Sequence, residues 1–197
     1  MISKFKILLI LITFMFVWSC GDKTKKISEI VEVDMEMQMS DAYKEGYFEL
    51  QRGDVLLAAK KFNEAELLFP QSMWAAKSAI MAAYSYYTQD YYSDAIFELE
   101  RYLITYPNHE DKVYAHFLLG MSFYEQITDE KKDIKPMLYS KKQFDFIIKE
   151  YPTTEFAVDA KFKNDLINEI LAAKEMYLAR YYLNRTKWIP ALNRFKT

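Results

Sequence analysis

Apolar and polar positions along the chain follow a spacing that recurs. A small residue is followed four positions later by a large apolar one, and eight positions after that by the proline of an aromatic–proline pair. The copies are Ala58, Phe62, Phe69-Pro70; Ala95, Leu99, Tyr106-Pro107; and Ser140, Phe144, Tyr151-Pro152. A fourth begins at Ala191 and Phe195, two residues before Thr197. Residues four apart share one face of a helix a turn later. The small residue lets a neighbouring helix come close, and the large one fills the contact. Proline lacks an N–H and restricts the residue before it, so it ends the helix. Each copy therefore predicts the second helix of a helix–turn–helix unit.

The intervening stretches supply the first helices. Ser40 is placed to cap one carrying Ala42, Tyr43, Gly46, Tyr47 and Leu50, with the turn at Arg52-Gly53-Asp54. Ser72 is placed to cap the next, with Trp74, Ala75, Ile80, Ala83, Tyr84 and Tyr87, and Gln89-Asp90 turns into the second repeated helix. A third carries Val113, Tyr114, Phe117, Leu118 and Met121, followed by a longer charged loop from Thr128 to Pro136. Thr153 or Thr154 starts a long helix over 155–184, and Trp188 opens the last one. The repeat prolines Pro70, Pro107 and Pro152 are 37 and 45 residues apart, the first near the 34-residue tetratricopeptide period. The expected fold class is all-α: a tetratricopeptide-like α-solenoid of antiparallel helix pairs. Its repeats run at about 40–70, 72–107 and 109–152, with an incomplete one at 154–197. In this register Ala95 is a packing site and Glu98 is exposed. With 197 residues, 51% of them hydrophobic, and only 4 Gly, the chain can bury a sizeable helical core.

The first residues read differently. Lys4 and Lys6 precede an apolar run over 7–18, too short to span a bilayer but suited to a secretory signal peptide over 1–19. Val17-Trp18-Ser19-Cys20-Gly21 follows, with the chain's only cysteine. It resembles a bacterial lipobox, in which Cys20 takes a diacylglycerol and becomes the mature N-terminus; Trp18 stands where a small residue is usual. Two or more acyl chains give lasting membrane anchorage. In such lipoproteins Gly21, rather than Asp, after the cysteine implies export to the outer membrane. The polar, acidic stretch 20–39 is then a flexible tether.

A net charge of −2 predicts no nucleic-acid partner. The charge is uneven: seven acidic residues against one Lys over 27–50, and eight basic against three acidic over 160–197. Both stretches read as solvated faces, or, in a sharper reading, as the two ends of a solenoid that meet different partners. One cysteine allows no intrachain disulfide. His109 and His116, two helical turns apart, do not chelate one metal unaided. No glycine-rich phosphate loop, His-Glu-x-x-His or Gly-x-Ser-x-Gly occurs. The reading names no catalytic, cofactor or metal residue, and the expected work is binding.

An ordered series of motifs then carries a resemblance along the whole chain. It includes Tyr106-Pro107-Asn108-His109, Tyr114-Ala115, Leu119-Gly120, Lys132-Asp133 and Tyr151-Pro152-Thr153-Thr154. It continues through Asp159-Ala160, Leu171-Ala172, Glu175, Ala179-Arg180-Tyr181-Tyr182, Arg185, Trp188 and Asn193-Arg194. Joined to the lipobox, this resembles the BamD family, tetratricopeptide-repeat lipoproteins of the outer-membrane β-barrel assembly machine. The resemblance implies a non-catalytic lipoprotein on the periplasmic side of the outer membrane. Its early repeats would meet unfolded outer-membrane proteins. Its later repeats would dock BamA, the barrel-forming partner, alongside other assembly lipoproteins, with Arg185, Asn193 and Arg194 in the docking region. The family has about five repeats and this chain ends inside its fourth, which predicts fraying over 189–197 and an apolar, basic surface over 177–188. The alternatives are a periplasmic repeat lipoprotein that scaffolds cell-envelope or cell-wall enzymes, and an enzyme with a helical-repeat domain.

Overall fold

The computed structural model describes residues 34–128 and 133–196, which form eight helices: α1 (Met35–Arg52), α2 (Val55–Leu68), α3 (Met73–Tyr87), α4 (Tyr92–Thr105), α5 (Lys112–Tyr124), α6 (Lys135–Glu150), α7 (Glu155–Leu183) and α8 (Trp188–Phe195). No strand occurs among the described residues. Each helix packs on the next, and α3, α5 and α7 also touch in succession. The fold is an α-solenoid of helix pairs, with α3 enclosed by α2, α4 and α5. That enclosure explains its composition: Ala75, Ala76, Ala79, Ala82 and Ala83 are all buried, because small side chains let three helices approach one axis.

The recurrent spacing is the core. Ala58, Phe62, Ala95, Leu99, Ser140 and Phe144 are each fully buried. The large residue of each copy sits over a small residue of the preceding helix. A methyl group added at Gly46 would lie 3.0 Å from Phe62, and one at Gly120 would lie 2.6 Å from Phe144. The Ser140 hydroxyl adds a cross-helix hydrogen bond, donated to the Gly120 carbonyl at 2.9 Å.

The turns repeat as well. Within three residues of their ends, α1, α3 and α7 are each followed by a residue in the left-handed region: Gly53 (φ 84), Asp90 (φ 65) and Thr186 (φ 58). The next N–H then reaches back five residues, Asp54 to Glu49, Tyr91 to Tyr86 and Lys187 to Tyr182, the hydrogen bond that closes a Schellman cap. The following helix starts one residue later each time. After the second helices the carbonyls of Phe69, Tyr106 and Tyr151 accept the N–H three residues on. Proline at the intervening position fixes that bend.

Several expectations need correction. The first helix begins at Met35, not near Ser40. Asp34 is its N-cap, accepting the Glu36 N–H at 3.1 Å. The reason is the buried stripe Met39, Ala42, Gly46, Glu49, which extends the helix into what had read as tether. Ser72 occupies an N-cap position, but its hydroxyl makes no capping bond. Thr154 does cap α7, accepting from Ala157 N–H at 3.3 Å. Pro136 lies within the first turn of α6 rather than closing a loop, where its missing N–H costs nothing.

Glu98 is buried, not exposed. It belongs to a polar network that fastens the second repeat to the first. Arg101 forks onto Glu66 at 2.7 and 2.8 Å and donates through Nε to Glu98 at 2.9 Å. Asn63 donates to Glu98 at 3.2 Å, and the Tyr106 hydroxyl donates to Glu66 at 2.8 Å. Burial and that bond to Glu66 hold the Tyr106 hydroxyl protonated well above its ordinary range. Replacing Arg101 with Leu strands two buried carboxylates, so Arg101→Leu should cost about 3 kcal/mol, the low end for a broken buried pair because Arg101 is partly exposed. Glu98→Ala should cost about 1.5–3 kcal/mol rather than nothing. Thermal melts check both, and equal tolerance of the two changes contradicts the network.

Candidate functional site

No helix among the described residues is long and apolar enough to cross a membrane. None of the acidic residues or histidines there cluster so as to hold a metal ion. Among the clefts the fold presents, one lies on its first helices and one on its last.

The first cleft encloses about 630 Å³ beside the N-terminal half of α1. Its apolar lining is Met37, Met39, Tyr43 and Trp74, and its rim carries Asp34, Glu36, Asp41 and Lys44. The helical spacing of α1 buries Met39 and leaves Met37 exposed, and Met73 and Trp74 are exposed at the start of α3. Tyr43 stands edge-on to both Phe62, at 5.2 Å, and Trp74, at 5.5 Å. This stack holds the indole in place, while the Lys77 ammonium sits 5.4 Å from its ring centre. Burial, with Tyr47 nearby, raises the Tyr43 pKa, so its hydroxyl stays neutral. The cleft can hold apolar or aromatic side chains within an acidic rim. The sequence places Met37 and Met39 in the acidic tether; the signal that marks them as helical is Met39 continuing the three-and-four spacing of Ala42 and Gly46.

The second cleft, about 620 Å³, lies between α7 and α8 and is lined by Ile134, Leu171, Ala172, Met176, Phe195 and Arg194, among others. Ala191 is the buried anchor of α8. Trp188, Ile189, Leu192 and Phe195 remain exposed, as do Met176, Tyr177 and Tyr181 on α7. The expected apolar surface over 177–188 is therefore present, with Arg180, Arg185 and Lys187 exposed along it. Of the three residues singled out for partner binding, Arg194 and Asn193 lie in the last turn of α8, whereas Arg185 lies in the turn before it. Arg194 is held in the cleft by Glu175, donating to its two oxygens at 3.1 and 2.9 Å. Arg185 does not line the cleft; its guanidinium covers the Tyr181 ring at 4.3 Å. The structure thus brings Asn193 and Arg194 together and sets Arg185 apart.

His109 fits a packing role. Its Nδ1 accepts the Asp111 N–H at 3.2 Å and lies 3.0 Å from the Tyr102 hydroxyl. Asp133, just ahead of α6, accepts the Lys135 N–H at 3.0 Å. Cys20, the signal peptide and Lys132 lie outside the described residues.

The Glu175–Arg194 pair is half exposed and worth under about 1 kcal/mol, so Ala191, not Arg194, should hold α8 in place. Ala191→Glu should speed trypsin cleavage after Arg185 and Lys187 several-fold, and Arg194→Ala should leave it unchanged. The opposite ranking contradicts this assignment.

Comparison with known proteins identifies the family. The family model described as YfiO, outer membrane lipoprotein, matches residues 35–197. The chain is similar to the outer membrane protein assembly factor BamD of Caulobacter vibrioides, 33% identical over 177 residues, 90% of this chain and 57% of that protein. It is 31% identical to the BamD of Rickettsia prowazekii over 176 residues, covering 89% and 68%. For Neisseria gonorrhoeae BamD the figures are 27% over 175 residues, 84% and 66%. The chain therefore spans little more than half the length of the Caulobacter protein and about two thirds of the others. Because the family match covers most of the sequence, the chain belongs to the YfiO family of outer membrane lipoproteins.

Proposed function

We propose that the chain is a non-catalytic, lipid-anchored assembly factor facing the periplasm. In this reading its first repeats bind unfolded outer-membrane proteins through the Met37–Trp74 cleft. Its last helices bind BamA, with other assembly lipoproteins, through the exposed surface of α7 and α8, using Arg185, Asn193 and Arg194. Cys20 carries the lipid.

The observation that carries the reading is the pair of clefts on the first and last helices of a family member whose relatives are named assembly factors. Each cleft exposes aromatic or methionine side chains, which adapt to varied apolar segments. Their settings differ in charge: Asp34, Glu36 and Asp41 at the first, Arg180, Arg185 and Lys187 near the second. The charge difference favours two kinds of partner over one.

Three experiments test this. A photo-crosslinking residue at Trp74 should trap unfolded barrel substrate, and one at Leu192 should trap BamA; capture of a cell-wall hydrolase at both would support the scaffold alternative instead. Arg185→Glu with Arg194→Glu should weaken BamA binding about tenfold or more without changing crosslinking at Trp74. For the anchor, a radioactive fatty acid should label the wild type and not Cys20→Ala, and equal labelling would remove Cys20 from the account.

A further inference from the structure

Successive second helices meet in seams that are equivalent by repeat, yet two of them are built in opposite ways. Positions on α4 lie 37 residues after their counterparts on α2, and positions on α6 lie 45 after those on α4. The α2–α4 seam is closed by the ion pair of Glu66 with Arg101. At the equivalent positions of the α4–α6 seam stand Leu103 and Phe146. No ion pair crosses that seam among the described residues.

What remains there is a groove of about 560 Å³, with Leu103, Leu119 and Phe146 in its lining. Ile104 stands at its edge, 81% exposed. The polar groups within it are already satisfied: His116 Nδ1 donates to Gln143 Oε1 at 2.8 Å, and the His116 ring lies 4.2 Å from that of Phe146. Burial, the larger cause, and Lys112 lower the His116 pKa, so the groove interior is uncharged at neutral pH. The walls carry opposite charges, Glu100 on α4 and Lys142 on α6. Neither has an ion-pair partner among the described residues. The other charged residues of α6 that line the groove are engaged: Asp145 by Asn164 at 2.6 Å and Lys141 at 3.5 Å, and Lys149 by Glu150 at 3.1 Å.

We propose that this groove docks an amphipathic helix of a partner protein. Its apolar side would face Leu103, Ile104 and Phe146, with a basic flank toward Glu100 and an acidic flank toward Lys142. The chemistry of the walls selects a helix. Both are helices whose backbone groups are bonded internally, so an extended peptide would find no ladder to join and would lay its own N–H and C=O groups on apolar carbon. A helix arrives with those groups already paired. Opposite charges on the two walls favour an occupant of mixed charge and set its direction. The groove shares no residue with either terminal cleft, so it stands or falls independently of the assembly role.

Three synthetic peptides of about 18 residues, long enough to hold a helix, provide the test. All carry the same leucine stripe; their flanks are one basic and one acidic, both basic, or both acidic. Titrated calorimetrically into the purified chain, the mixed peptide should bind about fivefold more tightly than either uniform one. Ile104→Glu alters an exposed side chain, so it should abolish that binding while the melting temperature stays unchanged. Glu100→Lys, which makes both walls basic, should shift the preference to the acidic peptide. Binding that survives Ile104→Glu, a preference that ignores Glu100→Lys, or no binding of any peptide overturns the proposal. Self-association of the chain that Ile104→Glu removes also overturns it, by assigning the groove to a second copy.

Discussion

The structure depends on a steric fit made at each junction within a helix pair. A large ring or branched side chain on the second helix must lie where the first helix offers little or no side chain. Phe62 lies over Gly46, and Phe144 over Gly120, with too little room for a methyl group beneath the latter. Leu99 joins Ala79 and Ala83 in one cluster. Such a fit sets how closely two helices approach and leaves the turn between them little freedom. The three Schellman caps, at Gly53, Asp90 and Thr186, are the matching solution at the turn. Asp and Thr tolerate the left-handed backbone there only because the packed pair holds it in place.

Because each pair is completed by its neighbour, the chain can vary its seams without losing the fold. The first seam is closed by a fork of Arg101 onto Glu66, with Glu98, Asn63 and Tyr106 satisfying the remaining atoms. A lone buried charge would be costly, but here no member is left unpaired. The next seam gives up that network for Leu103 and Phe146 and stays open. The two terminal clefts follow the same logic. Met37 and Trp74 at the first repeat, and Trp188, Ile189 and Leu192 at α8, are apolar side chains that no further helix among the described residues covers. The proposed binding surfaces are thus places where the stacking rule is satisfied on one side only.

Most of the architecture was legible because it is written in short-range spacing. Four residues separate the small and large members of each copy, and proline marks each helix end, so Ala58, Ala95 and Ser140 were placed in the core from sequence alone. Long-range pairing was not legible. Glu98 looks like a solvated charge in its own helix; only Arg101 three residues on and Asn63 a repeat earlier bury it. The start of α1 was missed for a related reason. Three alternating methionines in an acidic stretch give no helical stripe until Met39 is seen against α2. The expected docking residues share one segment of sequence but not one site: Arg194 points to Glu175, while Arg185 stacks on Tyr181. Arg185 lies in the tight turn before the eight-residue α8, and Arg194 lies in the last turn of that helix.

The central claim is that stability is local, passed between neighbouring helices through one repeated fit. Amide hydrogen exchange of the wild type and of Gly120→Val tests it most directly. Branching a side chain into the space filled by Phe144 should reduce protection in α5, α6 and the first half of α7 by an order of magnitude or more. Protection of α1 and α2 should change little, and α8 should exchange faster than α4 in both proteins. A uniform loss of protection from α1 to α8, or protection of residues 189–196 equal to that of residues 92–105, would contradict the account.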